Sequence, residues 1–170
     1  MKQLFATTFP TRLGYMRAVS DEAGLIRLDW EQTPFPDNDH DNDVSRETSQ
    51  QVLAYLSGEL QDFTLPISPH AASPKLRDWL THIAAIPYGE VRSYRDLARD
   101  WGNEKAARAA GSACQRNPIP LIIPCHRVIG TDATFTRYSG GDRATPDNPA
   151  NIARKKALLD LEAGLSQRSQ

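Results

Sequence analysis

The sequence predicts an α+β protein with a strand-rich N-terminal domain at residues 1–70 and a mainly helical C-terminal domain at residues 71–170. Three observations support this prediction. Short alternating stretches near the N-terminus are separated by turn residues, a segment containing Pro and Ser follows at 68–73, and four segments with helical spacing and recognisable caps come after it. A chain of 170 residues is long enough for one large domain or two small ones.

The N-terminal part is predicted to hold an antiparallel sheet with one buried face. Residues 2–9, 13–19 and 24–30 are its strands, and residues 20–24 form a turn between two of them. Residues 31–43 are predicted to be a solvated loop, because their Asp run lacks the Gly and the closing Glu of a calcium loop. A helix is predicted at 45–57, with Gly58 just after its end, followed by a short extended stretch at 63–67.

The C-terminal part begins with a helix at 74–86, since Ser73-Pro74 is typical of a helix N-terminus and Pro87 ends the pattern. Another helix is predicted from the capping box Ser93–Asp96 to about residue 101. The final helix starts at 148–149 and ends at residue 164.

A helix-turn-helix is predicted from the second helix of this part and the next one, at 104–116. The two helices are short and are joined by a turn that contains Gly102. The second is rich in Ala and carries Arg108 near its start, which suits a recognition helix. An Ala-rich helix packed tightly in a core would show the same pattern.

The charge is distributed unevenly although its net value is only −1. Residues 1–72 carry 5 Lys and Arg against 11 Asp and Glu, whereas residues 73–165 carry 14 against 10. A basic C-terminal part favours contact with phosphates, although a chance distribution of surface charges would also produce this difference.

Targeting and metal signals are weak throughout the sequence. No apolar run approaches the roughly 20 residues of a membrane span, and the N-terminus lacks a signal-peptide core. We therefore expect a cytoplasmic protein without membrane contact. The two cysteines and four histidines show no zinc-ligand spacing, so we expect no metal and two reduced thiols.

The chemical signal is the pair Cys125-His126, which follows an apolar run at 121–123 bracketed by Pro120 and Pro124. A thiol held by buried neighbours beside a base is a candidate nucleophile, because the thiolate is the reactive form. Taken alone, the pair favours a buried cysteine next to a hydrogen-bonded histidine over a nucleophile.

The surrounding motifs resolve this choice through a resemblance. They are Pro87-Tyr88-Gly89-Glu90-Val91-Arg92-Ser93-Tyr94, then Lys105-Ala106-Ala107-Arg108-Ala109-Ala110-Gly111, Asn117-Pro118, Ile123-Pro124-Cys125-His126-Arg127-Val128-Ile129-Gly130 and Tyr138-Ser139-Gly140-Gly141. In this order they resemble the O6-alkylguanine-DNA alkyltransferases, also called methylated-DNA–protein-cysteine methyltransferases. The likeness is dense from about residue 87 to residue 141 and thinner in the final helix.

The resemblance implies a DNA-repair enzyme with a ribonuclease-H-like N-terminal domain. The lesion base is flipped out of the duplex, and the cysteine takes the alkyl group from O6 of guanine, and also from O4 of thymine. The thioether is not regenerated, so each molecule acts once without metal or organic cofactor. The implied partner is duplex DNA bound through its minor groove by a monomer that can bind cooperatively. DNA binding would place the protein at the nucleoid, or in the nucleus of a eukaryote.

The family's catalytic roles carry over to five residues of this chain. Cys125 would be the nucleophile, His126 would take its proton through a water, and Glu162 would orient His126. Tyr94 would donate to guanine N3 as charge develops on the leaving base. Asn117 would hold the active-site turn in place.

Other residues are implied to contact the DNA and to line the substrate pocket. Arg108 would enter the base stack as a finger. The remaining DNA contacts would come from Tyr94, Ser93, Ala106, Ala107 and Gln115. The pocket would be lined by Val128, Tyr138, Ser139, Pro120, Cys114, Arg137 and Lys155. The carbonyls of Cys125 and Val128 would read the guanine amine, and Cys114 would be a packing residue.

Two departures from the family pattern concern the pocket. Arg137 stands where the family commonly has Gly, and it adds bulk and charge at the pocket rim. The segment after Gly141, at 142–151, is longer than usual. Alternative functions are a lesion-binding protein of the alkyltransferase-like class, which Cys125 argues against, a helix-turn-helix transcription regulator, and a cysteine hydrolase.

Overall fold

The computed structural model describes residues 3–31, 33–35, 39–69, 71–131, 137–138 and 145–164. The chain divides into two compact units, Met1–Ala71 and Ala72–Gln170. A three-stranded sheet with a helix forms the first unit, and helices dominate the second, which confirms the predicted α+β class.

The first unit is an antiparallel sheet of β1 (Phe5–Thr11), β2 (Gly14–Ser20) and β3 (Leu25–Glu31), in that spatial order. Each strand lies within three residues of its predicted bounds. Helix α1 (Asp43–Leu56) packs against all three strands. The core between them holds the fully buried Met16, Leu28, Trp30 and Tyr55.

Helix α1 begins earlier than the predicted residue 45. Asn42 caps it, because Asn42 Oδ1 accepts from Ser45 N at 2.9 Å and Ser45 Oγ accepts from Asn42 N at 3.0 Å. The apolar residues Val52, Leu53 and Leu56 predict the buried stripe of this helix, but Leu53 is 44% exposed and Tyr55 is buried instead.

The loop before α1 is tied to the sheet and is not simply solvated. Asp39 forms an ion pair with Arg17 at 2.8 Å, and the His40 carbonyl accepts from Ala6 N at 2.7 Å. The extended stretch after α1 also joins this unit, through a parallel bridge between Ile67 and Leu25.

The second unit contains α2 (Pro74–Ala84), α3 (Tyr94–Trp101), α4 (Ala107–Gln115) and α5 (Pro149–Glu162). Two short strands, β4 (Arg92–Ser93) and β5 (Val128–Ile129), pair in parallel. Trp79 of α2 stacks on Trp101 of α3 with ring centroids 4.3 Å apart, which fixes these helices against each other.

Helices α3 and α4 pack together and are joined by a short turn. Gly102 adopts φ 123°, which side-chain-bearing residues avoid. Glu104–Ala106 forms a 3-10 turn because Asn103 O accepts from Ala106 N at 2.9 Å, so α4 starts at Ala107 and not at 104. In the part of the chain that the structure describes, no helix is long and apolar enough to cross a membrane.

Candidate active site

Cys125 opens a 3-10 turn, Cys125–Arg127, at the end of a tethered buried loop. Asn117 fixes this loop from inside: its Nδ2 donates to Ile123 O at 2.8 Å, and its Oδ1 accepts from Ile119 N at 3.0 Å. Leu121 has φ 77°, a left-handed conformation that costs a non-Gly residue about 1 kcal/mol. The two Asn117 hydrogen bonds hold this loop together across the strained residue.

The pairing of β4 with β5 brings the first motif to the Cys125 turn. Ser93 is in register with Ile129, and Arg92 with Val128. Tyr94, the residue after β4, is therefore held beside the turn at the start of α3. Ser93 Oγ accepts from Asp96 N at 3.0 Å, so the Ser93 half of the predicted capping box is present.

A buried network of three charged or titratable side chains lies behind Cys125. His126 Nε2 and Glu162 Oε2 are 2.8 Å apart, and their side chains are 0% and 2% exposed. Arg127 holds the same carboxylate in a two-pronged contact, Nε to Oε1 at 2.7 Å and Nη2 to Oε2 at 2.9 Å. Arg127 Nη1 also donates to Ile86 O at 2.6 Å, so the guanidinium is fixed to the backbone.

The contacts of Glu162 assign the proton on His126. A carboxylate that accepts twice from Arg127 is ionised, so His126 Nε2 donates to it and Nδ1 carries the lone pair. Burial lowers the pKa of His126 below its ordinary 6.5, with Glu162 opposing and Arg127 adding to the shift. The ring is therefore neutral at pH 7 and can accept a proton.

Cys125 faces a cavity of about 420 Å³. The lining residues come from three helices and the chain before α5: Tyr94, Ala107, Arg108, Gly111, Ser112, Cys114, Gln115, Cys125, Arg137, Tyr138, Pro146 and Lys155. Cys125 itself is only 4% exposed, so a reactant reaches it through this cavity.

The predicted pocket residues divide into three groups in the structure. Cys114, Arg137, Tyr138 and Lys155 line the cavity. Pro120 and Val128 are buried residues outside its lining. Ser139 lies outside the described residues.

Two other side chains in the cavity, Cys114 and Tyr94, are held in their protonated forms. Burial raises the pKa of Cys114, and the neighbouring Cys125 raises it further. Burial likewise raises the pKa of Tyr94, with the two cysteines adding to the shift. At neutral pH Cys114 is thus an unreactive thiol, whereas Tyr94 keeps a phenolic proton that it can donate.

Lys155 is 1% exposed and connects two backbone segments beside the cavity by hydrogen bonds. Its Nζ donates to Val128 O at 2.6 Å and to Arg137 O at 3.1 Å, and it lies 5.9 Å from the centroid of the Tyr94 ring. One lone pair of the Val128 carbonyl, which is predicted to read the guanine amine, is therefore used by Lys155.

Four of the six predicted DNA contacts lie on or just before α4. Arg108 is exposed in the first turn of α4, and Ala107 and Gln115 share the cavity lining with it. Ala106 belongs to the 3-10 turn just before the helix. Gly111 lies beside the Tyr94 ring, where a Cβ would make ordinary van der Waals contact at 3.8 Å from two ring carbons.

Arg127 is the site residue that sequence reasoning did not assign. Its place directly after Cys-His in an apolar stretch was the available signal, because a buried arginine requires an acidic partner. Among the described residues, no group of three or more His, Cys, Asp or Glu side chains could hold a metal ion.

Comparison with known proteins places the chain in a family. Residues 77–164 match the model "6-O-methylguanine DNA methyltransferase, DNA binding domain", and residues 4–69 match "6-O-methylguanine DNA methyltransferase, ribonuclease-like domain". The second match agrees with the expected form of the N-terminal domain.

Several relatives cover most of the chain. Methylated-DNA--protein-cysteine methyltransferase of Methanosarcina acetivorans is 36% identical over 81% of this chain and 91% of its own length. The protein of that name from Bacillus subtilis, described as constitutive, is 36% identical over 88% of this chain and 95% of its own length. The crystal structure of Mycobacterium tuberculosis OGT in complex with DNA has a TM-score of 0.79 at 32% identity and covers 94% of this chain and 93% of that one. The chain therefore belongs to the 6-O-methylguanine DNA methyltransferase family.

Proposed function

We propose that this protein repairs alkylated DNA by moving an alkyl group from O6 of guanine, or O4 of thymine, to the sulfur of Cys125. The observation that carries the proposal is the position of Cys125 between two features. On one side is a cavity of about 420 Å³, and on the other is the buried pair of His126 and Glu162, joined at 2.8 Å. The names of the relatives agree with this chemistry.

The transfer is a single displacement. His126 takes the thiol proton at Nδ1 through a water, and the resulting sulfur anion attacks the alkyl carbon bound to O6. The C–S bond forms as the C–O6 bond breaks, and the electron pair goes to the guanine. Tyr94 donates toward N3 of the guanine, so the leaving base is neutralised as it departs.

Glu162 and Arg127 act on this step through His126. The ionised carboxylate fixes the ring with its Nε2 proton directed away from the sulfur, and Arg127 fixes the carboxylate. The product is a thioether, which has no proton to lose and no leaving group under these conditions. Each molecule therefore acts once.

The reaction on duplex DNA requires the target base to leave the stack. Helix α4 would lie in the minor groove, where its small residue Ala107 and Ala106, just before the helix, allow close approach. Arg108, exposed at the start of α4, would fill the gap left by the flipped base. Recognition through the minor groove suits a protein that must act at lesions in any sequence.

The test is an intact-mass measurement on protein mixed with excess duplex carrying one O6-methylguanine. We expect a gain of one methyl group per molecule, and repaired DNA that stops at one equivalent of protein. An unmodified duplex is the control and should leave the mass unchanged. Tight lesion binding without a mass gain would instead indicate a non-catalytic lesion-binding protein.

A further inference from the structure

We propose that Arg137 makes the cavity selective for O6-alkylguanines whose alkyl group ends in an anion, with O6-carboxymethylguanine as the simplest member. This inference rests on the proposed function, because it concerns which alkyl groups Cys125 receives.

The first argument is the sign of the charges in the cavity wall. Arg108, Arg137 and Lys155 are the charged side chains of the described lining, and no Asp or Glu is among these lining residues. Among the described lining residues, a carboxylate that enters with the flipped base would therefore meet only positively charged side chains. In a partly enclosed site such an attraction is screened less than in water.

The second argument is that the three cations are not equivalent. Lys155 is buried, and its Nζ donates to the carbonyls of Val128 and Arg137. Arg108 stands at the start of α4, on the side proposed to enter the duplex. Arg137 is exposed, and within the described part of the chain no carboxylate pairs with it.

The third argument is that the peptide bond after Arg137 is fixed by two hydrogen bonds. Its carbonyl accepts from Lys155 Nζ at 3.1 Å, and the next backbone N–H, that of Tyr138, donates to Pro146 O at 2.9 Å. The guanidinium is close enough to Tyr94 to oppose the rise in the pKa of that phenol. A guanidinium that lines the cavity can form a two-pronged contact with a carboxylate, which an ammonium cannot match.

The proposed transfer of the carboxymethyl group follows the same steps as the methyl transfer. Sulfur attacks the CH2 carbon of the O6–CH2–COO⁻ group, the C–S bond forms, and the C–O6 bond breaks. The electron pair goes to the guanine, which takes up one proton in place of the one that left the Cys125 thiol. The carboxylate does not react, and the product is S-carboxymethylcysteine.

The experiment compares two duplexes with adducts of nearly equal shape, O6-carboxymethylguanine and the neutral O6-carbamoylmethylguanine. Single-turnover rates are measured for the wild type, Arg137→Gln, Arg137→Lys and the exposed control Arg116→Gln. We expect the ratio of carboxymethyl to carbamoylmethyl rates to fall about tenfold in Arg137→Gln, the size of one lost charge-assisted hydrogen bond. Arg137→Lys should lose less, and Arg116→Gln should keep the wild-type ratio.

If the carboxymethyl to carbamoylmethyl rate ratio is the same in the wild type and Arg137→Gln, the inference is wrong. This outcome is expected if Arg137 binds a DNA phosphate, because both adducts would then react more slowly by the same factor. A parallel duplex with O6-methylguanine separates this failure from that of the proposed function. If the wild type takes up the methyl group and the ratio is unaffected by Arg137, only the selectivity is wrong. If it takes up no methyl group, the proposed function itself fails.

Discussion

Two regions around Cys125 use charge in opposite ways. The inner wall consists of His126, Arg127 and Glu162, and the mouth of the cavity carries Arg108 and Arg137. Behind Cys125, the charges of Arg127 and Glu162 are buried and bonded to each other, and Glu162 is also bonded to His126. At the mouth, Arg108 and Arg137 are exposed. Burying an ion costs several kcal/mol unless a partner and hydrogen bonds offset it, so the inner charges are fixed in one arrangement. The outer charges are free to meet what enters, and we therefore assign chemistry to the inner wall and recognition to the mouth.

The largest expected effect on the rate of methyl transfer comes from replacing Glu162. Glu162→Gln keeps the shape but removes the ionised acceptor of His126, and we expect the rate of methyl transfer to fall about a hundredfold. Since Glu162 raises the pKa of His126 against the effect of burial, its loss lowers that pKa further. The acid limb of the pH–rate profile should move to lower pH, and a shift upward would contradict this.

The next effect comes from the other member of the ion pair. Arg127→Met should slow methyl transfer about tenfold and destabilise the fold by about 3 kcal/mol, because it leaves the Glu162 carboxylate buried without its cation. Arg127 lowers the pKa of His126, so its removal should move the acid limb to higher pH, opposite to Glu162→Gln.

Thermal unfolding and pH–rate profiles of both variants check this pair of predictions. A merely structural role for Arg127 would destabilise the protein without moving the acid limb. Arg127→Lys is the matched control, since it restores the charge but not the two-pronged contact. It should recover the wild-type position of the acid limb more completely than the stability.

A smaller and more selective effect is expected at the mouth. Arg108→Ala should slow repair of duplex DNA about tenfold, because the gap left by the flipped base is no longer filled. Reaction with free O6-benzylguanine, which needs no base flipping, should fall much less. Equal losses on both substrates would contradict the finger assignment, and Arg116→Ala serves as the exposed-arginine control.

The inner wall and the mouth also differ in how far the sequence could predict them. The strands and helices were predictable because their signals are local, such as the alternation in β2, the cap at Ser73 and the turn at Gly102. Arg108 was predictable as an exposed residue near the start of a helix for the same reason. The Asn42–Ser45 capping box was also readable locally, although the prediction started the helix at 45.

The inner wall depends on contacts between residues far apart in the chain. Arg127 and Glu162 are 35 positions apart, and the two-residue strands β4 and β5 pair across a similar separation. Neither the Arg127–Glu162 contact nor the β4–β5 pairing produces a periodic pattern in the sequence. The pairing of His126 with Glu162 was expected only through the family resemblance, whereas the part played by Arg127 required the structure.

The most direct test of this account is to locate the transferred group on one of the two cavity thiols. Cys114 and Cys125 both line the cavity, but only Cys125 adjoins the His126–Glu162 pair. After reaction with a duplex containing O6-methylguanine, peptide mapping should place the methyl group on the peptide that holds Cys125, and Cys125→Ala should take up none. Methyl transfer to Cys114, or uptake that persists in Cys125→Ala, would contradict the claim that the buried network activates Cys125.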